Sequence, residues 1–429
     1  MSPTFQSLRT RNYRLYATGG VVSNVGTWMQ RVAQDWLVLQ LSGHSGVALG
    51  ITTGLQFLPM LLLAPFAGTL ADRYSKRKVL IVTQASMATV GATLGVLDIT
   101  GVVQVWHVYA LAVLLGIAAA CDAPARQSFV IEMVGRDDLP NAVGLNSASF
   151  NLGRVIGPAL AGVLIVLIGT GPVFLINAAS FGAVIFALTR MRSSELMPMP
   201  RAPGGRGQVL EGIRYVRARP DLQLVMVIVF FVGTFGLNFQ MTSALMATAV
   251  FHKGAGAYGL LGSVVAIGSL SGALLAARRG KPRLRLIVFA AVAFGVVEIA
   301  AGLMPSYYWF MATLIPLGLC QMTLLNSANA TMQLAVDPVM RGRVMALYMA
   351  VLMGGTPIGA PLIGALAEAF GARWSLIAGG LISAGAAIVA GSMLARRQGL
   401  VLRDELHLPS ARPQLDLELE NIEETVQQR

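Results

Sequence analysis

The chain has 429 residues, of which 55% are hydrophobic and only 12% charged. Soluble domains carry about 25% charged residues, so a soluble globular protein is excluded, and a mean hydropathy of +0.66 points to a polytopic membrane protein. The net charge of +12 does not mark a nucleic-acid surface, because the basic residues fall in short loops instead of on one face. Cys121 and Cys320 lie in apolar runs and read as small buried residues. His44, His107, His252 and His407 are scattered without metal-ligand spacing, and no nucleophile–base pair is apparent, so neither an enzyme nor a metal or other cofactor is expected.

Twelve apolar stretches follow one another, each long enough for the roughly 20-residue helix that crosses a bilayer. They are 15–40, 47–71, 77–97, 103–125, 141–168, 171–190, 222–246, 256–277, 284–303, 307–332, 343–369 and 372–395. The leading stretch MSPTFQSLRTRNYRLY has no short apolar core before a small-residue cleavage site, so it is expected to be retained. If the stretches alternate across the membrane, nearly all loop Arg and Lys fall on one side, and the other side receives only Lys253 and Arg373. The rule that basic loops stay inside then predicts a cell (inner) membrane protein with both ends in the cytoplasm.

The first stretch carries Arg31 and Asp35 in QRVAQDWL, four apart and so on one helix face. Gln34 adds polarity and Trp28 aromatic surface. An ionisable side chain inside a span is a functional hypothesis by default. Two readings stay open for the pair: Asp35 takes up and releases a proton with Arg31 tuning it, or the two form a static ion pair that tightens packing.

Between the second and third stretches lies GTLADRYSKRKVLI at 68–81. It resembles the loop 2–3 signature of the major facilitator superfamily, G-x-L-A-D-R-x-G-R-K, through Gly68, Leu70, Ala71, Asp72, Arg73, Arg77 and Lys78, with one extra residue allowed and Ser75 where the family has Gly. The resemblance implies an all-α membrane fold of twelve helices in two six-helix halves. In it Asp72 and the basic residues form a gate on the cytoplasmic side, Asp72 facing the positive end of a neighbouring helix.

In the fourth stretch Asp122 and Arg126 repeat the four-residue spacing, and Pro124 between them is expected to kink or end the helix. An end-of-helix gate or ion pair is the expected role. Ala112 stands near where many superfamily exporters carry an Arg. The fifth stretch holds Gly153, Arg154, Gly157, Pro158 and Gly162. It resembles the superfamily antiporter signature G-x-x-x-G-P-x-x-G-G, with Ala161 in place of one Gly, and this implies a hinge that seals one side of a cavity and a bias toward export. Arg154 needs a partner the sequence does not identify. Glu298 stands alone in the ninth stretch, to bind a cation or to pair with an Arg. Asn238, Gln321 and other polar residues of the second half are candidates to line a cavity or to cross-link helices.

The chain also repeats itself. GRVIGPALAG at 153–162 aligns with GTPIGAPLIG at 355–364 at an offset of 202, setting Gly153, Gly157 and Gly162 against Gly355, Gly359 and Gly364. Related halves around a central cavity suit a rocking transporter. The expected organisation is an N-terminal half at 1–190, a linker at 191–221 containing a basic surface helix at 209–218, a second half at 222–395 and an acidic tail at 396–429.

RVAQDWLVLQL at 31–41, LQFLPMLLLAPFAGTLADR at 55–73 and DAPARQSF at 122–129 are similar to the siderophore and drug exporters known as transmembrane secretion effectors. That resemblance implies a secondary exporter of a small, drug- or siderophore-like amphipathic molecule, driven by proton antiport and working by alternating access. Its partners would be its substrate, protons and lipid, with no nucleic acid, and it would act as a monomer. An importer or uniporter of the same fold is the alternative. A non-transporting sensor acting through the acidic tail is a further class, disfavoured by the repeat and the buried charges.

Overall fold

The computed structural model describes residues 3–197, 208–277 and 283–397; at 3–4, 64–73, 208–209, 277 and 397 only the backbone is described. Among these residues there is no strand. A 3-10 turn leads into α1 (Arg11–Leu41), α2 (Gly46–Arg73), α3 (Lys76–Ile99), α4 (Val105–Val134), α5 (Leu139–Ile168) and α6 (Thr170–Thr189). A short helix, α7 (Gln208–Arg217), precedes α8 (Pro220–Phe231), α9 (Phe239–Leu245), α10 (Ala255–Ala277), α11 (Leu284–Leu303), α12 (Tyr307–Ala335), α13 (Arg341–Gly354), α14 (Thr356–Phe370) and α15 (Ala372–Arg397).

Eleven stretches among the described residues are long and apolar enough to cross a membrane, and Pro220–Val250 and Arg341–Phe370 are each one such stretch made of two helices. α1 is not among the eleven, since Asn24, Gln30, Arg31, Gln34 and Asp35 dilute its apolar character. Its 31 residues nonetheless lie in the body of the fold, with Met29, Val32, Ala33, Leu37, Val38 and Leu39 buried. The twelve expected spans are consistent with this arrangement.

Two boundaries differ from expectation for physical reasons. α4 does not end at Pro124 but runs through it to Val134; in a spanning helix, neighbouring groups re-satisfy the backbone that proline frees. The seventh span, expected to be continuous, is interrupted. π-helical turns at Val232–Gly236 and Met246–Val250 flank α9. Such turns insert an extra residue per turn and are frequent at functional sites.

Within the first six helices α1 packs on α5 and α6, α2 on α4, and α3 on α4 and α6; in the second set α11 packs on α12 and α15, and α10 on α12. The two sets meet where α5 crosses α10 and α2 crosses α14. Glycine makes these crossings possible, and the internal repeat explains their symmetry. A Cβ on Gly153 would lie 2.9 Å from the Asn24 backbone, and one on Gly157 2.5 Å from Trp28 Cβ, so α5 presses on the first span. The matching Gly355 and Gly359 press instead on Thr234, in the seventh span. Gly162 meets Ala255 and Gly256 of α10, and its counterpart Gly364 meets Gly46 of α2. Each repeat therefore binds the first helix of its own half and the second helix of the other. Small residues permit such backbone approach where lipid offers no hydrophobic drive. The turn after each repeat also recurs at the same offset: Gly169 (φ 82) and Gly371 (φ 96) both take a left-handed conformation that favours glycine.

α7 corresponds to the expected linker helix. Tyr215 donates to Asp337 Oδ2 at 2.9 Å and Glu211 pairs with Arg343, which ties it to the start of α13. The remainder of the linker at 198–207 and the acidic tail from 398 lie outside the described residues.

Candidate substrate cavity

Between the two sets of helices lies a cavity of about 310 Å³. Trp28, Arg31, Gln34 and Asp35 reach it from α1, and Thr53, Gln56 and Phe57 from α2. Arg154 and Pro158 line it from α5, and Tyr258 from α10. The interrupted seventh span supplies Leu237, Asn238, Phe239, Gln240 and Met241, while Leu352, Met353 and Thr356 come from the break between α13 and α14. Both discontinuities of the fold thus border this cavity, as irregular backbone in a membrane protein does where it lines a polar pathway. They also touch each other: a Cβ on Gly355 or Gly359 would overlap Thr234. The Thr234 carbonyl oxygen accepts a 2.7 Å hydrogen bond from Asn238 Nδ2, which satisfies one carbonyl of the π turn.

Asp35 is buried (7% exposed) and held from the opposite half. Its Oδ2 accepts hydrogen bonds from Gln240 Nε2 at 2.8 Å and from the Tyr258 hydroxyl at 2.7 Å. Arg31 does not pair with it. Among the described residues no ion pair joins the two, and the Arg31 guanidinium instead lies 4.7 Å from the centroid of the Trp28 ring, one turn back on the same helix. The Arg154 guanidinium approaches the same ring at 5.9 Å. Cation–π contacts of this kind are worth about 0.5–2 kcal/mol. The static Arg31–Asp35 ion pair considered from the sequence is therefore not formed. The cavity wall carries two guanidinium groups, one carboxylate and a band of neutral amides, among them Gln34, which donates to Gln56 Oε1 at 3.1 Å, and Gln321.

Of the residues singled out in the sequence, Trp28, Arg31, Gln34, Asp35, Arg154, Pro158, Asn238 and Gln321 are brought together here. Glu298 is not. It is 1% exposed and lies away from the cavity wall, between α11, α15 and the first π turn. Asp122 and Arg126 are also elsewhere. Arg126 donates from Nη2 (2.6 Å) and Nε (2.9 Å) to Asp122 Oδ2, and Asp122 Oδ1 accepts further bonds from Thr83 at 2.8 Å and Gln84 at 2.9 Å, which pins α4 to α3. Arg77 donates to the carbonyls of Leu188 (2.7 Å) and Thr189 (3.0 Å), closing the C-terminus of α6 where a cation is favoured. Lys78 is exposed. The side chains of Gly68, Asp72 and Arg73 lie outside the described residues. Tyr258 and Gln56 were not singled out from the sequence, and Gln240 was grouped only with the general polar residues.

Hydrogen bonds between the two sets of helices, among the described residues, gather on the side away from the chain ends. Glu368 of α14 accepts from Ser45 Oγ at 2.5 Å and from the Val47 amide at 3.1 Å. Ser263 of α10 donates to the Val155 carbonyl at 2.6 Å. With the contacts of Asp35 and the glycine crossings, these close the cavity on that side.

A family model described as "Transmembrane secretion effector" matches residues 2–427. The chain belongs to that family, whose members are membrane transporters of the major facilitator fold and not enzymes. It is 28% identical over 371 residues to the multidrug efflux pump Tap of Mycolicibacterium fortuitum, covering 83% of this chain and 90% of that one. To the staphyloferrin A transporter of Staphylococcus aureus it is 24% identical over 357 residues, covering 81% and 87%. The macrolide efflux protein A of Streptococcus pyogenes is 23% identical over 396 residues, covering 88% and 95%. Among solved structures, a bacterial homologue of the human lysosomal transporter Spinster, inward-facing and unoccupied, superposes with a TM-score of 0.72 at 16% identity, covering 92% of this chain and 98% of that one.

Proposed function

We propose that this protein is a secondary exporter of a small amphipathic molecule, driven by proton antiport and working by alternating access. The observation that carries this reading is Asp35, a carboxylate at the closed end of the central cavity that is bonded across the interface of the two halves. A group in that position links protonation to the interface. When ionised it accepts from both Gln240 and Tyr258 and holds the halves together. In the outward-open state those bonds are broken and Asp35 takes a proton from outside. The protonated protein resets inward, and the proton leaves to the cytoplasmic side as the ionised carboxylate regains its two donors, whose bonds its charge strengthens. The repeat and the two broken spans support rocking of one half against the other. The names of the relatives, two of them efflux pumps, favour export, and Trp28, Phe57, Phe239 and Met241 offer apolar surface to an amphipathic cargo.

In this reading residues 1–190 and 222–395 move as the two halves and 191–221 links them, with both ends of the chain in the cytoplasm. The cavity is then closed toward the outside, and substrate enters from the cytoplasm or the inner leaflet. Arg31 and Arg154 share the Trp28 face and steer polar groups of the cargo, while Asp72, Arg73 and Lys78 gate the cytoplasmic side.

The test has two stages. Susceptible cells expressing the protein are first grown against a panel of macrolides, other toxic compounds and iron chelates to find a compound that is expelled. That compound is then followed in proteoliposomes under an imposed proton gradient, for the wild type and for Asp35→Asn. Asp35→Asn is expected to lose accumulation against a gradient while still binding the compound. Undiminished accumulation would remove Asp35 from coupling.

A further inference from the structure

Glu298 is a carboxylic acid that the transport reading leaves unused. It lies in an apolar run, FGVVEIAAG, on α11, and is 1% exposed. Its Oε2 makes no hydrogen bond among the described residues, and neither does the Oγ of Ser383 on α15. Yet these two atoms are neighbours. A Cβ built on Gly236 would lie 2.8 Å from Ser383 Oγ and 3.3 Å from Glu298 Oε2. A Cβ on Gly379 would lie 2.8 Å from the carbonyl oxygen of Phe235 and 3.1 Å from Glu298 Oε1. The carboxyl group is therefore enclosed by the Gly236 and Gly379 backbones, the Ser383 hydroxyl and a carbonyl of the first π turn.

The charged groups of the elements packed on α11 are engaged elsewhere. Asp221 of α8 pairs with Arg219 at 2.8 Å. Arg373 of α15 donates to the carbonyls of Gly302 and Met304. Arg396 is at the opposite end of α15, α12 carries no Asp, Glu, Lys or Arg, and its Tyr307 hydroxyl is bonded to the Ala257 carbonyl. No described cation lies within ion-pair distance of Glu298. A lone ionised carboxylate without water or counter-charge is among the costliest groups to bury.

We infer that Glu298 is a second proton-binding site, set in the second half, that carries its proton in the conformation described here. A proton is the cation that fits because the carboxyl is closely packed, with the Ser383 oxygen and the Phe235 carbonyl bordering it and no set of ligands for a metal ion among the described residues. The site abuts the same π turn whose next residues, Leu237 to Met241, form the cavity wall. Loss of the proton would require water to reach Gly236 and Gly379, and so a repacking of that turn. Glu298 thereby ties the shape of the second half's cavity wall to proton occupancy, separately from Asp35.

The test uses the full-length protein in lipid nanodiscs and needs no transported compound. Infrared spectra at neutral pH, compared in H2O and D2O, report the C=O stretch of protonated carboxyl groups. The wild type is expected to show such a band, Glu298→Gln to lose it and Asp35→Asn to keep it. In a second variant, Glu298→Asp, a folded protein is expected to keep an acid band at a shifted frequency. An unchanged set of acid bands in Glu298→Gln overturns the proposal, and so does the lack of any such band in folded Glu298→Asp. Loss of the wild-type band on adding NaCl at fixed pH would also overturn it, since the ligand would then be sodium.

Discussion

The buried carboxylates of this transporter have three different surroundings, and those decide what each can do. Asp35 accepts from two neutral donors across the interface of the two sets of helices; Glu298 has no partner among the described residues; Asp122 is bonded within one half to Arg126, Thr83 and Gln84. The last arrangement is structural. Removing Asp122 takes the acceptor from buried Thr83 and Gln84 and from Arg126, which is one-third exposed and can turn to solvent, at a cost of about 1–3 kcal/mol. Asp122→Ala is therefore expected to lower the thermal midpoint of the purified protein by several degrees, and an unchanged midpoint would show that Arg126 finds another partner at no cost. Asp122, Asp35 and Glu298 were all visible in the sequence as charges in apolar runs. Their partners were not. Asp35 meets Tyr258 from a point 223 positions along the chain, and nothing in AYGLLG marks that tyrosine as polar machinery. Arg31 was placed on the correct face by its spacing, but spacing does not say that it turns to Trp28 instead of Asp35.

At the scale of the element, the repeated glycines set the helix crossings. The offset of 202 in the sequence already carried the pairing, and the structure adds the partner of each glycine. The costs differ between copies. A Cβ on Gly359 overlaps the Thr234 carbonyl oxygen, whereas one on Gly157 meets Trp28 Cβ at 2.5 Å and the Val25 carbonyl oxygen at 2.9 Å. Gly182 on α6 has nothing within 4 Å. Overpacking costs about 1–3 kcal/mol and more where backbone must move, while alanine at an open helical site gains roughly 0.5–1 kcal/mol. Thermal unfolding is expected to rank Gly359→Ala lowest, Gly157→Ala next and Gly182→Ala at or above the wild type. Equal midpoints for all three would mean that the crossings yield freely. The π turns that break the seventh span were not legible. GTFGLN contains no proline, and the apolar run around it is as continuous as those of unbroken spans. The first of these turns packs against Gly355 and Gly359 of the eleventh span, more than a hundred residues later.

At the scale of the whole molecule, the fold was the most legible feature, because bilayer thickness, loop charge and the repeat all constrain it together. The conformation was not legible, since the contacts that close one side join residues far apart in the chain. In this state the halves are bonded on the side away from the chain ends through Ser45, Val47 and Glu368, through Val155 and Ser263, and through Asp35. A transporter that rocks must break these contacts in every cycle.

The most direct measurement is a reversible lock on that side. Cysteines introduced by Ser45→Cys and Glu368→Cys stand where a serine meets the end of the longer glutamate side chain at 2.5 Å, and a short bifunctional methanethiosulfonate should bridge the remaining gap in the membrane through reducible disulfides. Transport of an expelled compound in proteoliposomes is expected to stop on cross-linking and to return on reduction, with each single variant remaining active. A fully cross-linked protein that transports at the wild-type rate would contradict the account.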